Sequence, residues 1–189
     1  DCTPKGIGLK NKEKYYIKHK DHVKGFIAQG SETRFGTLYA AGINDLILKE
    51  RDCQFITVCS CNTHNISVIL KDLAFNGPLT EIQNDTYSPQ LIWGRFHLLR
   101  RANDISQTKS FVAAPHVDPP KDPKFGSHHA RDAYNLYKTI GYSLDLHSSA
   151  MILNTQYMHV VYFRIKLRKQ MTREEAIERF DKDPWVALT

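Results

Sequence analysis

Between Phe55 and Leu73 the chain changes period without a connecting loop. Phe55-Ile56-Thr57-Val58-Cys59-Ser60 is β-branched and apolar, the signature of a buried strand. From Asn62 onward Ile66, Ile69, Leu70 and Leu73 recur at helical spacing, and Asn76-Gly77-Pro78 stops the run. Any fold this chain adopts must accommodate a strand that becomes a helix at once. The residue at the join is thereby carried to a helix N-terminus.

The other segments supply the layers around that unit. The lysine-rich stretch Lys10–Lys20 reads as a short surface helix, and 23–30 as a short buried strand ended by Gly30. Ile43, Leu46 and Ile47 share one face of an expected helix over 42–52. A polar loop is expected over 77–90, a long strand over 91–101, and an irregular Pro/Asp/Lys-rich excursion over 102–127. Ala133, Leu136, Tyr137 and Ile140 lie on one face of a helix over 130–141, closed by Gly141. Strands follow at 146–154 and 158–169, and Thr172-Arg173-Glu174-Glu175 is a capping box that opens a helix over 173–181. After Pro184 the residues Trp185-Val186-Ala187-Leu188-Thr189 begin a further strand. The class is α+β, mixed strands with helices on one side.

At 189 residues the chain has room for one domain or two small ones, and its 41% apolar and 24% charged content is that of an ordinary globular protein. No apolar run reaches membrane-spanning length, and the first residues lack the apolar centre of a secretory signal. The spacing of Cys2, Cys53, Cys59 and Cys61 is not that of a disulfide scaffold, so a reducing, cytoplasmic setting is expected. Beginning on Asp1 without Met points to processing or excision from something longer. A net charge of +6 favours anionic partners, either nucleic acid or phosphorylated small molecules.

The chemistry gathers at the strand–helix join. Unpaired N–H groups and the positive end of the helix dipole meet there, and a cysteine so placed has its thiolate, the nucleophilic form, stabilised. Cys61 therefore stands as a buried thiol, a metal ligand with Cys59 and His64, or a nucleophile. Cys59 and Cys61, two apart, are expected on one face of the strand. Asn62 and Thr63 add side-chain donors in the first turn. The candidate bases are the Ser127-His128-His129 pair, just before a helix, and His159 at the start of a strand.

Seven short motifs then recur in order. Asp1-Cys2-Thr3-Pro4, Gly6-Ile7-Gly8-Leu9-Lys10-Asn11, Gln29-Gly30-Ser31-Glu32, Ser60-Cys61-Asn62-Thr63, Arg100-Arg101-Ala102, Ser127-His128-His129 with Asp132, and Thr155-Gln156-Tyr157-Met158-His159 cover most of the chain. In this the chain resembles the archaeal-type (class II) phosphorylating glyceraldehyde-3-phosphate dehydrogenases. The resemblance implies Cys61 as nucleophile and His159 as its base. It places Ser60, Asn62, His128 and His129 around the substrate, and Gly30, Ser31 and Arg101 at the cofactor, NAD or NADP. Arg100 and Arg101 with the two histidines suit a phosphorylated aldehyde, and inorganic phosphate is the second substrate. The implied chemistry is a cysteine thiohemiacetal that passes a hydride to the nicotinamide.

No G-x-G-x-x-G fingerprint follows a strand here, and relative to the family His64 replaces a Thr and Ser31 a Gly. The resemblance thus makes the chain an internal piece. Residues 1–57 would be the tail of a Rossmann-type dinucleotide-binding domain, and 58–189 a C-terminally incomplete catalytic domain. That domain is expected as a mixed, largely antiparallel sheet with helices on one face, in a homo-oligomer. The alternative is a divergent non-redox relative acting as a basic binding or assembly module. In it Lys10, Lys12, Lys14, Lys18, Lys20 and Lys24, with Tyr15 and Tyr16, form a phosphate-binding face, or 146–169 a subunit interface. Neither nucleic acid nor membrane is the expected partner.

Overall fold

A computed structural model describes residues 1–29, 32, 34–49, 53–75, 79, 83, 86–87, 90–102, 114–154 and 158–189, without the side chains of 86 and 87. The chain opens with helix α1, Ile7–Lys14. It has no acidic residue of its own in the first turn; instead the buried carboxylate of Glu32 accepts the N–H groups of Gly6 and Leu9 at its N-terminus. A 3₁₀ turn, Tyr16–His19, follows. Tyr16 donates to Asp1 Oδ2 (2.6 Å) and stacks on Phe26, while the Lys12 ammonium binds Phe35 O and lies 4.4 Å from the Phe55 ring centroid. Lys12 and Tyr16 are thus committed to packing, which removes both from the phosphate-binding face expected above.

Strands β1 (Phe26–Gln29), β2 (Thr37–Tyr39) and β3 (Phe55–Val58) form an all-parallel sheet in the order β1-β3-β2. The helix expected over 42–52 is not formed within its described part; a 3₁₀ turn, Asp45–Lys49, stands there instead, and residues 50–52 lie outside the described set. Short polar side chains bond to the backbone in its place. Asp45 accepts the Gly42 N–H, and buried Asn44 accepts from Ala40 N–H while donating to Leu38 O and Thr139 Oγ1. Ile43 and Ile47 still reach the core, but Leu48 is exposed.

Strand β3 leads through Cys59 and Ser60 into α2, Cys61–Ala74. The helix ends where expected, although Asn76-Gly77-Pro78 lies outside the described residues. A two-residue strand β4 (Thr86–Tyr87) then interrupts the stretch expected as loop. Strands β5 (Leu91–Arg101) and β6 (His116–Asp118) precede α3, His128–Lys138. After it come β7 (Tyr142–Ser143, paired with β4), β8 (Leu146–Leu153) and β9 (His159–Leu167). The main sheet has the order β6-β8-β5-β9; β5 and β8 run parallel, whereas β5–β9 and β6–β8 are antiparallel.

Alternation along β5 and β8 turns Phe96, Leu98, Leu146 and Ala150 inward, where α2 and α3 bury Ile66, Leu70, Ala133 and Leu136 against them. Tyr137, also fully buried, stacks on Phe75 and donates to Ser67 O (2.7 Å), so its hydroxyl is satisfied. The last helix, α4 (Arg173–Asp181), carries the expected capping box between Thr172 and Glu175. Residues 185–189 form no strand: Asp183 accepts the N–H of Trp185 on its side chain and of Val186 on its carbonyl, closing a turn. No helix among the described residues is long and apolar enough to cross a membrane.

Candidate active site

The join between β3 and α2 positions the sulfur. Cys61 is the first residue of α2, exposed at the mouth of a cleft, and its Sγ lies 3.1 Å from His159 Nε2. His159 is the first residue of β9 and reaches the cysteine because β9 pairs antiparallel with β5, Arg100 opposite His159. A ring nitrogen at that distance is in position to exchange a proton with the thiol. Ser60 caps the helix through backbone geometry; its Oγ bonds to Thr63 Oγ1 (3.0 Å) and its carbonyl to His64 Nδ1 (3.0 Å).

Cys59 and Cys61 do not share a face. The strand ends at Val58, so Cys59 turns inward and is buried while Cys61 turns out. Burial, with Asp132 nearby, pushes the Cys59 thiol up to about 12, which keeps it a neutral thiol. Among the described residues, no group of three or more His, Cys, Asp or Glu side chains converges on a metal site.

The cleft beside Cys61 has a volume of about 970 Å³. Ser60, Cys61 and His128 line it, with Lys5, Lys121 and Arg131 supplying positive charge and Asp122 and Asp132 negative. His128 and His129 open α3, their ring centroids 3.8 Å apart. Burial, helped by Arg100 and Arg131, holds His128 below the usual histidine range. His129 lies beneath the wall, 2% exposed, with neither ring nitrogen bonded among the described residues. Burial and the positive charge of His128, Arg100 and His159 bring it down to about 3, so it is a neutral ring at ordinary pH.

The remaining candidates are placed differently. Asn62 is buried at 1% exposure and does not line the cleft, and Thr63 is fully buried, so neither offers the open side-chain donor expected of it. A helix residue one or two positions past an exposed N-terminus turns toward the core, which the strand–helix pattern alone does not reveal. Arg101, the last residue of β5 and next to the Arg100–His159 pair, lies against Met158 and is not a wall of the cleft; Arg100 is paired with Asp118 at 2.9 Å. Gly30 and Ser31 lie outside the described residues. Lys5, Lys121 and Arg131 were not foreseen. For Arg131 a signal existed, since it follows His128 by three residues in a helix and must share its face; for the two lysines there was none.

No family model matches the chain. It is similar to glyceraldehyde-3-phosphate dehydrogenases of archaea. The one from Methanobacterium bryantii is 29% identical over 192 residues, covering all of this chain and 49% of the relative. That of Pyrobaculum islandicum is 29% identical over 190 residues with the same coverage. That of Hyperthermus butylicus is 30% identical over 196 residues, all of this chain and 48% of the relative. The chain spans about half the length of the curated relatives it matches.

Proposed function

We propose that this chain carries the catalytic half of a phosphorylating aldehyde dehydrogenase of the glyceraldehyde-3-phosphate type. The observation that carries the reading is the 3.1 Å approach of His159 Nε2 to Cys61 Sγ at the opening of α2. Similarity to relatives named for that activity supports the choice of substrate class.

In this reading His159 takes the Cys61 proton, and the sulfur bonds to the aldehyde carbon while the carbonyl π pair moves to oxygen. The oxygen of the thiohemiacetal rests beside the first-turn N–H groups of α2, which have no partner within the helix. His159 passes the cysteine proton to this oxygen and takes it back as the adduct is oxidised to a thioester. Attack by inorganic phosphate breaks the C–S bond and returns the sulfur. Lys5, Lys121 and Arg131 give the cleft its affinity for a phosphorylated substrate, and His128, held neutral, serves as a hydrogen-bonding group.

The cleft opens at the carboxyl ends of parallel strands β1 and β3, where Gln29 and Val58 line it with Lys5. Open parallel sheets receive ligands at that edge, so these residues fit the nicotinamide end of NAD or NADP and would hold it there. When bound, the dinucleotide accepts the two electrons of the oxidation. We read 1–57 as the end of the cofactor-binding unit and 58–189 as catalytic. Exposed Val160, Tyr162 and Met158 on and beside edge strand β9 offer a surface for self-association, so the working protein is an oligomer.

The test is site-resolved alkylation. Iodoacetamide should label Cys61 on the order of tenfold more slowly in His159→Ala than in the parent chain at pH 7, as loss of an adjacent base predicts. Labelling of exposed Cys2 should be unchanged. Glyceraldehyde 3-phosphate should protect Cys61 in the parent. Equal Cys61 rates in both chains would refute the base; labelling indifferent to the aldehyde would refute the substrate.

A further inference from the structure

Charged groups that the chemistry above leaves unused fasten the C-terminal helix to α2. Arg179 of α4 donates to the last carbonyls of α2, at Asp72 O (3.0 Å) and Phe75 O (3.3 Å). Two residues beyond α4, Asp183 is buried, accepts the Trp185 N–H (2.8 Å) and is ion-paired with Lys71. Against it stands the carboxyl of Asp72, its side chain 6% exposed. Asp72 Oδ2 is buried with no N–H or hydroxyl partner among the described residues.

Two carboxyl groups held together away from water repel unless one of them carries a proton. The groups facing this pair come from every neighbouring element. Lys71 lies on α2 and Arg179 on α4; Tyr137, on α3, is close enough to feel the charge of Asp72. Asp45 and Lys182 line the same cavity of about 520 Å³. Burial raises the Asp72 carboxyl to about 7, with Asp183 adding to the rise and Lys71 and Arg179 opposing it. Burial also pushes Asp183 upward, but hydrogen bonds from Lys71, the Trp185 N–H and Asp72 hold it below the ordinary range. The pair keeps one proton, on Asp72.

We propose that Asp72 and Asp183 form a pH-operated latch, in which one shared proton holds α4 and the Trp185 segment on α2 and its loss loosens them. The folded chain retains that proton up to about pH 7, whereas an unfolded chain releases it near 3.8. Latch stability is therefore complete below about pH 4 and lost as pH rises through 7. Phe180, Trp185 and Val186 line a cavity of about 550 Å³ together with His64 and His159. The latch thus governs one wall beside His159, and it stands whether or not Cys61 is a nucleophile.

Hydrogen exchange read by mass spectrometry on the whole chain tests it, with rates corrected for their intrinsic pH dependence. Between pH 5 and 6, inside the window from 3.8 to about 7, protection of α4 amides should fall by about tenfold, the linkage of one proton, and it should level off above about 7. In Asp72→Asn it should stay flat. Equal falls in both chains, or no fall in the parent, overturn the proposal. A second measurement follows Trp185 emission in a Trp93→Phe background. Its midpoint should rise in Lys71→Met, where the cation favouring the charged pair is gone, and be unmoved in His64→Gln. A midpoint that follows His64, or one indifferent to Lys71, overturns it as well. Neither readout involves the aldehyde or alkylation of Cys61, so failure here is distinct from failure of the dehydrogenase reading.

Discussion

Replacing Ser148 with Ala should cut two bonds at the root of α3. Ser148 Oγ accepts the Ala130 N–H at 3.0 Å and pairs with Ser127 Oγ at 2.6 Å. All three residues are buried, so water cannot take over either bond. Each bond contributes about 1 kcal/mol net, and an orphaned buried donor adds a desolvation cost, so the loss should be about 2–3 kcal/mol. In a 189-residue chain that corresponds to a fall in Tm of about 4–12 °C. Urea unfolding followed by circular dichroism should show a lower midpoint with an unchanged slope. Ser149→Ala is the internal control. That residue points to the other face of β8, where it bonds His97, and its loss should cost under about 0.5 kcal/mol. Equal costs for the two serines, or a Ser148→Ala cost below about 0.5 kcal/mol, would refute the claim that Ser148 pins α3 and the histidines at its start.

Tyr137→Phe should lower stability by roughly 1 kcal/mol, by losing the bond to Ser67 O while keeping the ring stack, as read by urea titration. Gly42→Ala should cost about 1–2 kcal/mol, since φ is +74° there and the new Cβ would come 2.6 Å from Trp185 Nε1; altered Trp185 emission would accompany it. His129 releases its proton in the fold down to about pH 3, whereas in the unfolded chain it binds one at 6.5. Its contribution therefore declines as pH falls from about 6.5 toward 3, and His129→Leu should flatten that part of the stability curve. Tyr162→Glu, a charge placed on the exposed face of β9, should lower the mass seen by light scattering if that face joins two copies.

Six elements were legible in advance: α2, α3, α4, β5, β8 and β9 lie within a few residues of the patterns that announce them. In α2, α3, β5 and β8 the period reports burial on one face, whereas α4, which buries no residue, was announced by its capping box. The segment 42–52 misled because Ile43, in the turn before the 3₁₀ segment, and Ile47, within it, are both buried, as a helical face would also make them. What decided it was the side-chain bonding of Asn44 and Asp45, which carries no period. At the site, the join at Cys61 was visible because a change of period is a local signal. The approach of His159 was nominated by motif order, but only pairing of β9 with β5 brings it there. The inward turn of Cys59 and Asn62, and the lysines of the cleft, depend on where a strand stops and on contacts between distant segments.

The sulfur and the imidazole that meet at this site are 98 positions apart in the chain. During synthesis the thiol is made long before the ring that is to face it, and it has no base until the last strand of the main sheet has docked. Oxidative damage at Cys61 should therefore concentrate in fully folded molecules, where the exposed sulfur meets the imidazole, and the rate at which its labelling acquires dependence on His159 would serve as a clock for the final stage of folding.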